Sequence, residues 1–225
     1  MLKGKRRRVS ARKPARKAAD SETERRILDA ARAVFIRRGT AGARMQEIAA
    51  EAGVNQALLH YYYRSKERLA AAVFQQAASR LFPAVMAILG SDRSLDDKID
   101  GLIATYIDNL VQNPFLPGYL LAELHHEPER VAQFLAAVSG GAPGAALAPS
   151  FAVLGQQIKE RVDAGTMRPI TPQQFAVNLI SLCIFPFAAR PMLSIVMGMD
   201  NAAFTRFMEQ RRWELPAFFR SALRP

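Results

Sequence analysis

The chain has 225 residues, 50% of them apolar, and a formal net charge of +11. That length and composition support a sizeable core in one domain or two small ones and exclude a chain disordered throughout. No apolar run approaches the ~20 residues of a bilayer span, no apolar stretch follows the basic N-terminus to make a secretory signal, and a single cysteine, Cys183, excludes an internal disulfide framework.

The cysteine usage points to a reducing, cytoplasmic setting. The charge is unevenly placed. Residues 1–19 hold nine Lys or Arg and no acid, residues 20–70 nine basic and seven acidic groups, and residues 71–225 thirteen of each. A basic arm of this kind binds polyanions without sequence preference, or is simply a solvated tail. Its sequence, "MLKGKRRRVSARKPARKAAD", lacks helical periodicity, so residues 1–20 are predicted to form a disordered tail.

Order is predicted to begin at Ser21. "SETE" is a capping box, in which Glu24 reaches back to the Ser21 amide. Ile27, Ala30, Ala31, Val34 and Phe35 then recur at helical spacing, and Gly39 stops the helix. A second helix is predicted from about Met45 to Ala52, ending at Gly53, and a third from about Gln56 to Tyr62. Ser65 caps a fourth, which opens near Lys66, continues toward Leu89 and is kinked by Pro83.

The second and third helices have the spacing of a helix-turn-helix. Ala49 supplies the small residue where the two cross, and Gly53 the residue tolerant of positive φ in the turn. Ile48, Ala52, Val54, Leu59 and Tyr62 bury the junction. By i, i+3, i+4 spacing Leu58, Leu59 and Tyr62 share one arc. Tyr63 packs inward with them, and Gln56, Ala57, His60 and Tyr61 look outward. Such a helix, flanked by Arg64 and Lys66, suits the major groove of DNA. Gln reads adenine edges, Ala57 touches a thymine methyl, His60 and Tyr61 donate to phosphates or base edges, and the two cations meet phosphates that fix register.

The segments "ILDAARAVFIRRG" (27–39), "MQEIAAEAGV" (45–54) and "LLHYYYRSKERL" (58–69) resemble the DNA-binding domain of the tetracycline-repressor (TetR) family of bacterial transcription regulators. The resemblance covers about fifty residues. More loosely, "NPFLPGYLLAEL" (113–124) and "GTMRPITPQQFAVNLISL" (165–182) are similar to segments of many members. It implies an all-α fold: an N-terminal three-helix DNA-binding head over 21–68, and a larger helical ligand-binding and dimerisation body over 69–225. It implies a homodimer on a pseudo-palindromic double-stranded operator, with the last two helices forming a four-helix dimer interface. A small-molecule effector would swing the heads apart and release DNA. Carried onto this chain, the DNA contacts are Gln56, Ala57, His60 and Tyr61, with Lys66 on phosphate. Members often hold a Thr or Ser pair before the second helix. Here Ala43 and Arg44 stand there, so the cap is lost and Arg44 meets phosphate by charge. The position most often Tyr in the recognition helix is His60.

Beyond the head, helices are predicted near 95–112, 117–126, 128–138, 151–164, 172–189 and 202–222. "SGGAPGAALAPS" (139–150) reads as the least ordered stretch of the body, and no period-two alternation indicates a sheet. Phe82, Met86, Tyr106, Phe115, Tyr119, Phe134 and Phe151 are candidate pocket walls, with Asn109, Glu123, His126, Gln157 and Asn178 as candidate polar anchors. Phe175, Leu179, Leu182, Phe204, Phe207, Met208 and Phe218 are candidates for the interface with a second copy. The adjacent His125 and His126 of "ELHHEPE" point to different helix faces, so no metal and no cofactor is expected. There is no defensible Ser-His-Asp arrangement and no Gly-rich phosphate loop, so an enzyme is not expected either. The reading is a repressor released by a small apolar or amphipathic molecule. The alternative is a DNA-binding activator or architectural protein with no small-molecule effector.

Overall fold

The computed structural model describes residues 12–126 and 128–225. Among them are eleven helices and no strand: α1 (Arg12–Gly42), α2 (Met45–Ala52), α3 (Gln56–Tyr62), α4 (Lys66–Leu89), α5 (Leu95–Gln112), α6 (Leu116–His126), α7 (Pro128–Ser139), α8 (Pro143–Asp163), α9 (Pro172–Ala188), α10 (Arg190–Met197) and α11 (Asn201–Ala222). The chain divides into two compact units, one ending at Val73 and one beginning at Phe74, so the division falls inside α4 rather than at its start.

Three elements differ from the sequence-based expectation. Helix α1 begins at Arg12, so the part of the expected tail from Arg12 to Asp20 is helical, Ser21 lies within the helix, and residues 1–11 lie outside the described residues. Lys, Arg and Ala are strong helix formers, and Pro14 is tolerated in a first turn. Gly39 does interrupt the helix, with φ 68° and ψ 167°. Helix α8 begins at Pro143, inside the stretch expected to be irregular. Proline at the first helical position is pre-set for the helix and gives up an amide that has no partner there anyway, and a run of Ala and Leu follows. Helix α10 was not expected. It leaves α9 at a 69° bend and ends on left-handed Gly198.

In the first unit, Ile27, Ala31, Val34 and Phe35 of α1 are buried with Ile48, Ala49 and Ala52 of α2, Leu59 of α3 and Leu69 of α4. These are the apolar positions of the helical repeat, so a period of 3.6 is enough to build this core. In the second unit α5 is central and packs on α8, α9 and α11. One side of it buries Ile99, Leu102, Ile103, Tyr106 and Leu110. Charges on its exposed side tie down its neighbours: Arg212 of α11 holds Asp108 at 2.7 and 3.0 Å, Arg220 of α11 pairs with Asp100, and Arg161 of α8 meets Asp96 at 2.9 Å. Each exposed pair is worth only ~0–1 kcal/mol. The first two join α11 to α5 and the third joins α8 to it.

The C-terminus of α4 is closed by a buried lysine: Lys98 donates from Nζ to the Leu89 carbonyl at 2.8 Å, and burial holds its pKa below the usual lysine value. By length and composition alone α4 is apolar enough to cross a bilayer, contrary to the sequence-based expectation. Its Leu69, Val73, Ala77, Val85 and Leu89 are buried within the protein, while most of its other positions are partly or fully exposed.

Candidate nucleic-acid interface and body cavity

The turn between α2 and α3 is built by backbone needs. Gly53 adopts φ 63°, ψ 36°, and its amide closes α2 by donating to the carbonyls of Ala49 and Ala50. A side chain here would be strained, and a Cβ would stand 2.9 Å from Nη2 of Arg26. That guanidinium donates to the Ala52 carbonyl at 2.5 Å and so fastens α1 to the turn. Gly53→Val is expected to cost about 2 kcal/mol, to be seen as faster amide exchange throughout the first unit; unchanged exchange there would contradict this account of the turn.

Helix α3 starts at Asn55, whose side chain accepts from the Leu58 amide at 2.7 Å. The sequence reading missed this cap, although Asn before a helix is the ordinary signal for one. On the buried side Leu59 fills the core, and the Tyr63 hydroxyl donates to Glu24 at 3.1 Å. Burial beside that carboxylate pushes the Tyr63 phenol far up. Tyr62 is half-buried, its hydroxyl 3.4 Å from the Asp20 carbonyl. Leu58 was expected to face inward but is 36% exposed. In so short a helix one buried leucine closes the junction, and Leu58 falls on its edge.

The outward face carries Gln56, Ala57, His60 and Tyr61, all exposed. Tyr61 is 77% exposed, and its ring stands edge-on to Tyr62 at 5.4 Å. The run of three tyrosines thus rotates from solvent to core across three positions. Arg44 is exposed and opens α2 with no side-chain cap. Lys66 is half-buried and donates to the Ala41 carbonyl at 2.9 Å, an engagement the sequence did not suggest. Its ammonium has three donors, so one bond within the protein leaves two. Ser65 caps α4 through the Arg68 amide at 3.3 Å.

The second unit holds a half-open cavity of about 370 Å³. Its walls are Phe74, Ala78, Leu81, Phe82 and Val85 from α4, Tyr106 and Leu110 from α5, Leu116, Pro117, Leu120 and Leu121 from α6, Phe134 and Leu135 from α7, and Ile184 from α9. Of the candidate pocket residues, Phe82, Tyr106 and Phe134 line it, and Phe151 is half-buried outside the lining. Tyr119 stands behind the wall with its ring 5.4 Å from that of Phe74. Met86 and Phe115 pack against the body core. Among the candidate polar anchors none lines the cavity. Asn109 has its side-chain oxygen buried without a hydrogen-bond partner elsewhere on α5. Glu123 is half-buried outside the lining, His126 is exposed at the end of α6, and Asn178 is exposed on α9. Helix rotation, which residue type does not reveal, decides these placements. Burial pushes the Tyr106 phenol up to about 12, so it keeps its proton at neutral pH.

The candidate interface residues also separate. Phe175, Leu179, Phe204 and Met208 are buried in the body core, where Phe175 meets Phe219 edge-on at 5.2 Å and Phe187 meets Phe204 at 5.6 Å. They complete the monomer and are not available to a partner. Leu182 and Phe207 are half-buried and Phe218 is 62% exposed. These three line a groove of about 280 Å³ with Gln210, Arg211 and Glu214. Val177 and Phe185 of α9 are exposed as well.

Residues 27–73 match the profile of the family described as bacterial regulatory proteins, tetR family. The chain is 39% identical over 137 residues to the HTH-type transcriptional repressor SCO4008 of Streptomyces coelicolor, across 55% of this chain and 67% of that protein. It is 26% identical over 187 residues to the HTH-type transcriptional repressor NicS of Pseudomonas putida, across 80% and 82%. Among solved structures, a TetR-family transcriptional regulator from Mesorhizobium loti superposes with a TM-score of 0.55 at 18% identity, over 91% of this chain and 98% of that one. The fold is shared too with the fatty acid degradation regulator FadR of Bacillus halodurans, at a TM-score of 0.54 and 16% identity over 86% and 94%. With its helix-turn-helix head and helical body, the chain belongs to the tetR family of bacterial regulatory proteins and is a DNA-binding transcriptional regulator.

Proposed function

We propose that this regulator is a cytoplasmic homodimeric repressor, that α3 of each copy enters the major groove of a pseudo-palindromic operator, and that a small apolar or amphipathic molecule in the body cavity releases it. Gln56, Ala57, His60 and Tyr61 are the groove-facing residues, and Arg44 and Lys66 meet phosphates. The observation that carries the reading is the exposed polar face of α3, held by the Asn55 cap and the Gly53 turn on a well-packed head. Two such helices one helical turn of DNA apart, about 34–36 Å, require two copies. The cavity favours a sensor over an architectural protein, and five of its wall residues lie on α4, whose first turns belong to the head. The relatives bear the names of regulators and not of enzymes, which supports a non-catalytic role.

The test is fluorescence anisotropy with DNA from upstream of the chain's own gene. Two phosphate charges per copy imply roughly a hundredfold loss of affinity between about 50 and 200 mM salt. Binding that ignores salt, or no preference for that DNA over unrelated duplex, would contradict the proposal.

A further inference from the structure

We infer that the body cavity takes an uncharged, hydrocarbon-rich molecule carrying a single hydrogen-bonding group, and that this group meets the Tyr106 hydroxyl. The inference rests on the sensor reading above and narrows its ligand to one class.

The first observation is the chemistry of the wall. Among the described residues that line the cavity, Tyr106 alone carries a polar side-chain atom; the rest are Phe, Leu, Val, Ile, Ala and Pro. An ion placed there would lose its water and find no counter-charge among the described lining residues, which disfavours it far more strongly than a neutral group with one hydrogen bond. The charges nearest in sequence to Tyr106 do not change this. Asp100 and Asp108 on α5 are engaged by Arg220 and Arg212 of α11. Arg211 donates to the Leu182 carbonyl and belongs to the outer groove, not to the cavity.

The second observation is the mouth. Leu121 and Leu135 line the cavity and are also exposed, so they mark its opening to solvent. Leu121 and Leu135 make the entrance apolar too, with no cation among the described lining residues to hold the head group of an acid left outside. The third is size. At the ~30 Å³ that a water occupies in the liquid, the volume accommodates roughly a dozen methylene-sized groups. Phe74 and Phe134, with ring centroids 4.7 Å apart, give one wall an aromatic surface.

The test is isothermal titration calorimetry on the full chain with four probes: decan-1-ol, decanoate, decylammonium and naphthalene. Decan-1-ol is expected to bind one per chain and at least tenfold more tightly than either ion. Tyr106→Phe, which keeps the ring, should weaken decan-1-ol by roughly two- to twelvefold, the worth of one neutral hydrogen bond, and leave naphthalene unchanged. Ala78→Trp should fill the cavity and remove binding of both while the circular dichroism spectrum stays that of the parent. Decanoate or decylammonium binding as tightly as decan-1-ol would overturn the inference. So would failure of decan-1-ol and naphthalene to bind the parent protein, or a Tyr106→Phe variant that binds decan-1-ol as the parent does. Because calorimetry involves no DNA, the expected pattern combined with unchanged operator binding at saturating decan-1-ol would sink the sensor reading alone and leave the ligand class standing.

Discussion

Replacing Tyr61 by alanine is expected to lower operator affinity about a hundredfold or more while leaving the fold intact. A good side-chain contact to a base edge is worth ~1–3 kcal/mol, and a two-fold complex loses it twice. Tyr61 suits this test because it is the residue of the tyrosine run that contributes least to the core. Its ring is 77% exposed, whereas Tyr63 is buried and bonded to Glu24. A thermal melt of the variant should therefore overlay that of the parent. Tyr63→Ala is the contrasting case: it leaves a cavity under α1 and should destabilise the head by ~3 kcal/mol or more. Normal operator binding by the Tyr61 variant, measured by anisotropy at moderate salt, would remove α3 from the proposed interface.

The second large effect concerns assembly. Introducing glutamate at both Phe185 and Phe218 should convert the proposed dimer to monomers, read as a halved mass in light scattering. The two phenylalanines are 56% and 62% exposed in the isolated chain, so replacing them costs the monomer little. Across a two-fold axis the same change sets four carboxylates close together in the contact, where like charge and desolvation both oppose pairing. Operator affinity should fall by about two to four orders of magnitude, because the second head loses its effective concentration at the adjacent half-site. Weak nonspecific binding by each head should persist. A variant that stays dimeric would place the interface elsewhere, and the exposed Met192, Ile195 and Val196 of α10 would then be the next residues to change.

How much of this was legible in the sequence follows from the range of each interaction. The head was read almost residue by residue. Its core needs only the 3.6 period of α1, the small Ala49, the left-handed Gly53 and the buried Leu59, all of which act within a few residues. Apart from the Asn55 cap and the edge position of Leu58, which are local, the exceptions are the contacts that close across long separations: Arg26 to the Ala52 carbonyl, Lys66 to the Ala41 carbonyl, and Tyr63 to Glu24. No local pattern announces them. The start of α1 at Arg12 differs for another reason, since a strong capping box at Ser21 does not prevent a helix from propagating upstream through good helix formers.

In the body the sequence alone determined that the elements are helices, where most of them begin and end, and that α9 and α11 are rich in large apolar side chains. It determined no more because an amphipathic helix says which of its residues are apolar, not which neighbour each will meet. Tertiary packing decided that Phe175, Leu179, Phe204 and Met208 fill the monomer while Phe218 stays outside. It likewise left Glu123, His126 and Asn178 out of the cavity and made Tyr106 the single polar side chain among its described lining residues. The physical reason is rotation: a turn of some tens of degrees about α5, α9 or α11, set here by ion pairs and ring contacts between residues up to 120 positions apart, moves a side chain from core to cavity to surface without altering its helical propensity.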